Sequence, residues 1–150
     1  MNKAKPLFVV AAALIDADGR LLVQQRPQGK MMAGLWEFPG GKVRRGEKPA
    51  DACAREIEEE TSLKVEVGEK ITRVKHLYTH LAVEIDVFHC HYRGGNVVLD
   101  GPTDHRWVTL DETAEYAFPK ANHKFMPAIR QLLGSKPGRA RPPKPRRAHK

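Results

Sequence analysis

Three glutamates, Glu56, Glu59 and Glu60, stand at i, i+3 and i+4, with a fourth, Glu47, upstream. On a helix at about 100° per residue these three project within an arc of roughly 100°, while Glu58 points elsewhere. Like charges so placed repel by about 0.2–0.5 kcal/mol per pair, so something positive is expected among them. Hard oxygen ligands at this density suit Mg²⁺ or Mn²⁺ rather than zinc, and Mg²⁺ commonly shares its coordination shell with substrate phosphates. A glutamate-rich face that simply meets water is the ordinary alternative. Two features weigh against it. Gly40-Gly41 allows close backbone approach just before the helix, and Glu47 lies beside the helix start, so a turn carbonyl and several carboxylates can converge on one ion.

The helix that must carry these groups starts at Pro49, a residue suited to a first helical turn, and should end near Ser62. Ala50, Cys53, Ala54 and Ile57 recur at the spacing of one buried stripe, with the carboxylates about 130° round from its centre. Upstream, the apolar run 7–15 follows Lys3 and Lys5 and has the length of a signal-peptide core. It runs straight into Asp16-Ala17-Asp18-Gly19 and then 20–25, which is the pattern of two strands joined by a tight turn. A polar loop, 27–34, leads to Leu35-Trp36-Glu37-Phe38 and the turn Pro39-Gly40-Gly41. Segments 66–77 and 80–92 have strand character, with Val83, Ile85 and Val87 on one face and Glu84, Asp86 and Phe88 on the other. A short strand at 105–110 and an amphipathic helix at 122–133 follow. Strands and helices mix without strict alternation, which predicts an α+β fold, an α/β/α sandwich around a mixed sheet.

A chain of 150 residues, 41% of them apolar, has room for one domain with one core. The net charge of +8 resembles a nucleic-acid signature until it is divided. Positions 136–150 hold seven basic residues and no acid, which leaves 19 basic and 18 acidic residues elsewhere. The body therefore lacks the broad basic surface of a duplex-binding protein, and only the tail suits a weak contact with nucleic acid. That tail, 135–150, is proline-rich and expected to be disordered. Two cysteines, Cys53 and Cys90, make neither a disulfide framework nor a CxxC site, and a reduced cytoplasmic setting is the default expectation. No run approaches the roughly 20 apolar residues of a membrane span, and a monomer is expected.

The segment from Gly41 through Glu47 to Arg55-Glu56-Ile57-Glu58-Glu59-Glu60-Thr61-Ser62-Leu63 resembles the Nudix box. Every position fits except Ser62, which stands where that pattern has glycine, and Lys48 replaces a common threonine cap. The first departure should cost on the order of 1 kcal/mol and the second about 0.5–2 kcal/mol, and neither removes a ligand. The resemblance implies a Nudix domain over 1–134 that hydrolyses a nucleoside diphosphate linkage. It implies Mg²⁺ (or Mn²⁺) held by the Gly40 carbonyl with Glu56, Glu59 and Glu60, and orientation of that cluster by Arg55 and Glu47. Asp100, in the loop before the last strand, is the expected general base; a plain turn aspartate before Gly101 is the alternative. The similarity spans nearly all of 6–133 and is closest to MutT-like members, which remove oxidised guanine nucleotides such as 8-oxo-dGTP. Arg26, Glu37-Phe38-Pro39-Gly40-Gly41 and Phe118-Pro119-Lys120-Ala121-Asn122 carry that likeness. It implies base contact by Phe38, hydrogen bonding of the purine edge by Asn122 and support of the nucleotide by Arg26. Considered without the family, Phe38 suits a core position and Asn122 a helix cap.

Other readings are weaker. His89 and His91 share a strand face but lack an identifiable third ligand. His76, Thr79 and His80 resemble a loop of the C-terminal domain of MutY adenine glycosylases, a Nudix-like module that reads 8-oxoguanine in DNA without hydrolysis. The basic tail would fit such a role, yet a module that only reads DNA does not need Glu47, Glu56, Glu59 and Glu60 together. An enzyme for another oxidised nucleotide, or for a pyrimidine triphosphate, is the third alternative.

Overall fold

The structure is a computed structural model and describes residues 5–134; the basic tail expected at 135–150 lies outside them. The run 7–15 forms the central strand β1 (Leu7–Ile15), which turns into β2 (Leu21–Gln25). Asp16 caps that turn, its Oδ1 accepting from the amides of Asp18 and Arg20, both at 2.9 Å. Two short strands follow, β3 (Trp36–Glu37) and β4 (Gly40–Lys42), then α1 (Pro49–Thr61), the long antiparallel pair β5 (Glu66–Tyr78) and β6 (Leu81–His91), and β7 (Asp104–Val108). A 3-10 turn at Asp111–Glu115 precedes α2 (Lys120–His123) and α3 (Met126–Gly134).

The sheet is mixed, as expected. Its order is β3-β2-β1-β6-β5, with β4 paired to β1 and β7 to β2. Strands β1 and β6 run parallel from Leu7↔Val83 to Ile15↔His91, whereas β4 lies antiparallel on β1 with Ala11↔Gly40 and Val10↔Gly41. Alternation along β1 sends Val10, Ala12 and Leu14 to one face, where they meet Cys53, Ile57 and Leu63. Ala11 and Ala13 go to the other face and join Ile85, Val87, Phe125 and Ile129. Helix α1 therefore covers one face and α3 the other, giving the α/β/α sandwich.

Three sequence expectations need correction. The single helix expected at 122–133 is two, because Pro127 in a continuous helix would lack the N–H for the His123 carbonyl and clash with it; the chain breaks at Lys124–Phe125 and Pro127 falls in the first turn of α3. Asn122 is consequently no helix cap: Pro119 occupies that position, and the Asn122 amide donates to the Pro119 carbonyl at 3.0 Å inside α2. The residues of α1 that are fully buried are Ala52, Cys53, Ile57 and Thr61, while Ala50 and Ala54 are only half-buried. Ala52 lies on the carboxylate side of the helix. That side is closed as well, because Gly40–Lys42 packs against it as a strand where the sequence indicated only a turn.

Two cysteines remote in sequence also meet. Cys53 on α1 and Cys90 on β6 are free and buried, with sulfurs 3.7 Å apart. The contact with Cys53, together with burial, pushes the Cys90 thiol well above the usual range.

Candidate active site

The site is built where α1 crosses β4. Both glycines are demanded by space. A Cβ on Gly40 would overlap the Val10 carbonyl oxygen and sit 2.9 Å from Val10 C and Ala11 Cα, all backbone of the central strand. A Cβ on Gly41 would occupy the place of the Glu56 carboxyl group, 2.7 Å from Oε1 and nearer still to Cδ and Oε2. The second glycine thus opens a cradle into which a helix carboxylate fits.

Arg55 organises the cluster. Its Nε and Nη2 donate to Glu47 Oε2 and Oε1 at 2.8 and 3.0 Å, a bidentate pair. Nη1 reaches Glu56 Oε2 at 3.2 Å and Glu59 Oε1 at 3.1 Å, and Nη2 also meets the Lys42 carbonyl at 3.0 Å. Glu47 accepts from the Arg44 amide at 2.9 Å as well, so its carboxyl is held down to about 2, chiefly by the Arg55 hydrogen bonds.

Glu60 lives in the opposite environment. Its Oε1 accepts from Gln24 Nε2 at 2.7 Å and from the Gly40 amide at 3.2 Å. Burial nevertheless pushes its carboxyl up to about 8; the Gln24 and Gly40 hydrogen bonds oppose that rise, and the nearby charges of Glu37 and Glu56 add to it. Burial likewise raises Glu56, and it raises Glu37 against the pull of Arg26. Glu59 is half-exposed and also faces Arg44 at 3.6 Å.

Among the described residues no three His, Cys, Asp or Glu side chains converge as a preformed metal cage. Glu56 and Glu59 are drawn toward Arg55, and Glu60 toward Gln24 and Gly40. The donor set still fits a hard divalent cation: the side-chain donors are all carboxylate oxygens on one helix face, and burial makes two of them costly to ionise unless a cation shares the site. The His89 and His91 rings lie 4.3 Å apart between centroids with their planes inclined at 51°, and the described residues supply no third ligand there.

The remaining expected residues fall into place unequally. Arg26 is tied to the cluster, its Nη1 donating to Glu37 Oε1 at 3.0 Å and its Nε to the Met31 carbonyl at 2.8 Å. Asp100 is exposed at the end of α1, where its amide donates to the Glu60 carbonyl at 3.0 Å. The Phe38 ring is 4% exposed in the core beneath α3, 5.5 Å from Phe118 and 5.8 Å from Phe125 between centroids. Asn122 is half-buried on α2, its backbone carbonyl accepting from the Phe125 amide at 3.2 Å, and the Phe125 ring in turn packs on Phe38. Gln24 and the part played by Glu37 emerge only from the structure; Gln24 shares the face of Leu22 on β2, and the sequence carries no sign of which carboxylates it meets.

Ser62 takes the left-handed conformation expected of the missing glycine, with φ 68° and ψ 12°, and its amide donates to Glu58 O. Its hydroxyl donates to the Val98 carbonyl at 3.0 Å, a compensation that glycine cannot make. At Lys48 no side chain caps the helix, as anticipated.

A carboxylate-bearing helix clamped on a double-glycine strand is the arrangement that the resemblance to the Nudix box implied, and comparison with known proteins supports the family. The NUDIX domain family model matches residues 10–128. Over 131 residues the chain is 30% identical to the CTP pyrophosphohydrolase of Escherichia coli K12, covering 87% of this chain and 97% of that one. Over 88 residues it is 32% identical to the 8-oxo-dGTP diphosphatase of Proteus vulgaris, covering 59% and 79%. The crystal structure of a MutT protein from Methanosarcina mazei superposes with a TM-score of 0.81 at 26% identity, covering 89% of this chain and all of that one. The chain belongs to the Nudix family of pyrophosphohydrolases and is MutT-like. The alternative of a DNA-reading module without hydrolysis therefore falls away. His76, on β5, and Thr79 and His80, in the turn after it, lie apart from the carboxylates. No helix of the described residues is long and apolar enough to cross a membrane.

Proposed function

We propose that this enzyme hydrolyses a nucleoside triphosphate to the monophosphate and pyrophosphate, with 8-oxo-dGTP as substrate and Mg²⁺ or Mn²⁺ as cofactor. The Gly40 carbonyl, Glu56, Glu59 and Glu60 hold the metal. A divalent cation held there would supply neutralisation of phosphate charge and a lowered pKa for the attacking water. Arg55 and Glu47 fix the direction of the carboxylates, Arg26 supports the nucleotide and Asp100 takes the proton from water. Asn122 hydrogen-bonds the base edge, where an amide can donate and accept together. Phe38, closed into the core, contributes the floor of that subsite through its packing rather than an open ring face.

The observation that supports this reading is the packing of the Glu56 and Glu60 carboxyls against Gly40–Gly41, where burial makes their ionisation costly unless a cation shares the site. A second reading, a pyrimidine triphosphate as substrate, is favoured by the 30% identity to the E. coli CTP pyrophosphohydrolase along nearly its whole length. The test is a panel of 8-oxo-dGTP, dGTP, CTP and dCTP with Mg²⁺ and product analysis. Pyrophosphate release with the highest kcat/KM on 8-oxo-dGTP is expected. Preference for CTP replaces the base assignment, and no release from any nucleotide overturns the proposed hydrolysis.

A further inference from the structure

Gln24 sits on β2 facing α1, wholly buried, and it belongs to no part of the Nudix box. Its Nε2 donates to Glu60 Oε1 at 2.7 Å and, at a longer 3.5 Å, to Glu37 Oε2. The Gln24 NH₂ is thus turned to two acids at once, one on α1 and one on β3. At the other end of the same group, Gln24 Oε1 is buried with no hydrogen-bond partner among the described residues. Native proteins rarely leave a buried amide oxygen unsatisfied, and such exceptions gather where function overrides stability. Leu21, Leu22 and Val23 on the same strand are equally buried and apolar, so packing alone does not call for an amide here.

We infer that Gln24 is a positioning residue: it fixes the Glu60 carboxylate from the side opposite Arg55, so that Glu60 awaits the metal in one orientation. The inference rests on the metal role proposed above for Glu60. Arg55 does the same for Glu47, Glu56 and Glu59, but its hydrogen bonds do not extend to Glu60. Glu60 is held instead by Gln24 and by the Gly40 amide. Of these two the amide of Gly40 belongs to a strand fixed on β1, so Gln24 is the side chain whose loss frees Glu60 to rotate.

The test uses the full chain with Gln24→Met, which keeps the length and volume and removes both the donor and the orphaned acceptor. Mn²⁺ binding is followed by electron paramagnetic resonance, and thermal unfolding is followed in EDTA. The expected result is Mn²⁺ affinity weakened by about 10–100-fold, the usual effect of removing a partner that orients a ligand, with a metal-free Tm equal to or above that of the wild type. Gln24→Asn, which keeps the amide but falls one methylene short, should lose Mn²⁺ affinity in the same way. Wild-type Mn²⁺ affinity in both variants overturns the positioning role while leaving the metal site standing. A metal-free Tm that falls in step with affinity assigns Gln24 to the core instead. Failure of the wild type itself to take up Mn²⁺ overturns the metal role of Glu60, and this inference with it.

Discussion

Replacing Gly41 with alanine separates the site from the fold. The new Cβ would lie 2.7 Å from Glu56 Oε1 and closer to Cδ and Oε2, all at the far end of a flexible side chain. Ordinary carbon contacts lie at about 3.5–4.0 Å, so the carboxyl must retreat by about 1 Å, which breaks its 3.2 Å bond with Arg55 Nη1. Moving a side chain off its rotamer costs about 0.5–1.5 kcal/mol, and alanine returns about 0.4–1 kcal/mol by restricting the unfolded chain. Metal-free stability should therefore change by less than about 1 kcal/mol, roughly 2–4 °C in Tm for a chain of this size. A 1 Å displacement of a reacting-site group costs about 10²-fold in rate, so kcat/KM should fall by that order. Gly40→Ala is the contrast. There the obstruction is the Val10 and Ala11 backbone, which cannot rotate away, and the loss of stability should reach about 3 kcal/mol. Calorimetric unfolding in EDTA and steady-state kinetics on both variants provide the measurement. If Gly41→Ala kept full activity, or unfolded as readily as Gly40→Ala, the cradle argument would be refuted.

Stability should depend on pH in a way that metal alters. Glu60 has an ordinary value of 4.5 and a folded value of about 8, so the native state holds that proton more tightly. Its contribution is complete below about 4.5 and is lost as the pH rises toward about 8, at no more than about 1.4 kcal/mol per pH unit for one proton. Glu47, held down to about 2, contributes above 4.5 and loses that contribution as the pH falls. In EDTA the Tm should thus decline from pH 5.5 to 8, and Mg²⁺ should flatten the decline; a rising Tm in EDTA would contradict the assignment. Ser62 gives a ranking. Glycine relieves the left-handed strain but loses the hydroxyl bond to Val98, so Ser62→Gly should stay within about 1 kcal/mol of wild type. Ser62→Ala keeps the strain and loses the bond, so it should fall by about 0.5–1.5 kcal/mol, and an unchanged Ser62→Ala would mean that the bond contributes nothing.

The parts of this molecule that could be read from sequence were those with a long period. Thirteen residues of α1 and the alternation of Val83, Ile85 and Val87 on β6 repeat often enough to be recognised, and the box spacing fixed which glutamates share a face. Strands of two and three residues, β3 and β4, have no period to detect and exist only because β1 and β2 offer them partners. The break in the last helix was marked by Pro127 and overlooked under the stronger apolar pattern of 122–133. Gln24 and Glu37 could not be assigned in advance, since their significance arises from a 36-residue and a 13-residue separation closed by the fold. The aromatic enclosure of Phe38 was the reading that residue type alone supplied, whereas the expected base contact came from resemblance.

The parallel ladder between β1 and β6 has a consequence for how the enzyme comes into being. Residues 7–15 find their neighbours some 76 positions later, so the central strand remains without its longest partner until most of the chain exists. Closing such a separation is slow compared with winding a helix, and the strand on which β2 and β4 are built waits for it. A nascent chain would display its box glutamates early, as scattered charges on a solvated coil. They become a site only once α1 is seated on the sheet, whose β1–β6 and β2–β7 pairings both join distant parts of the chain.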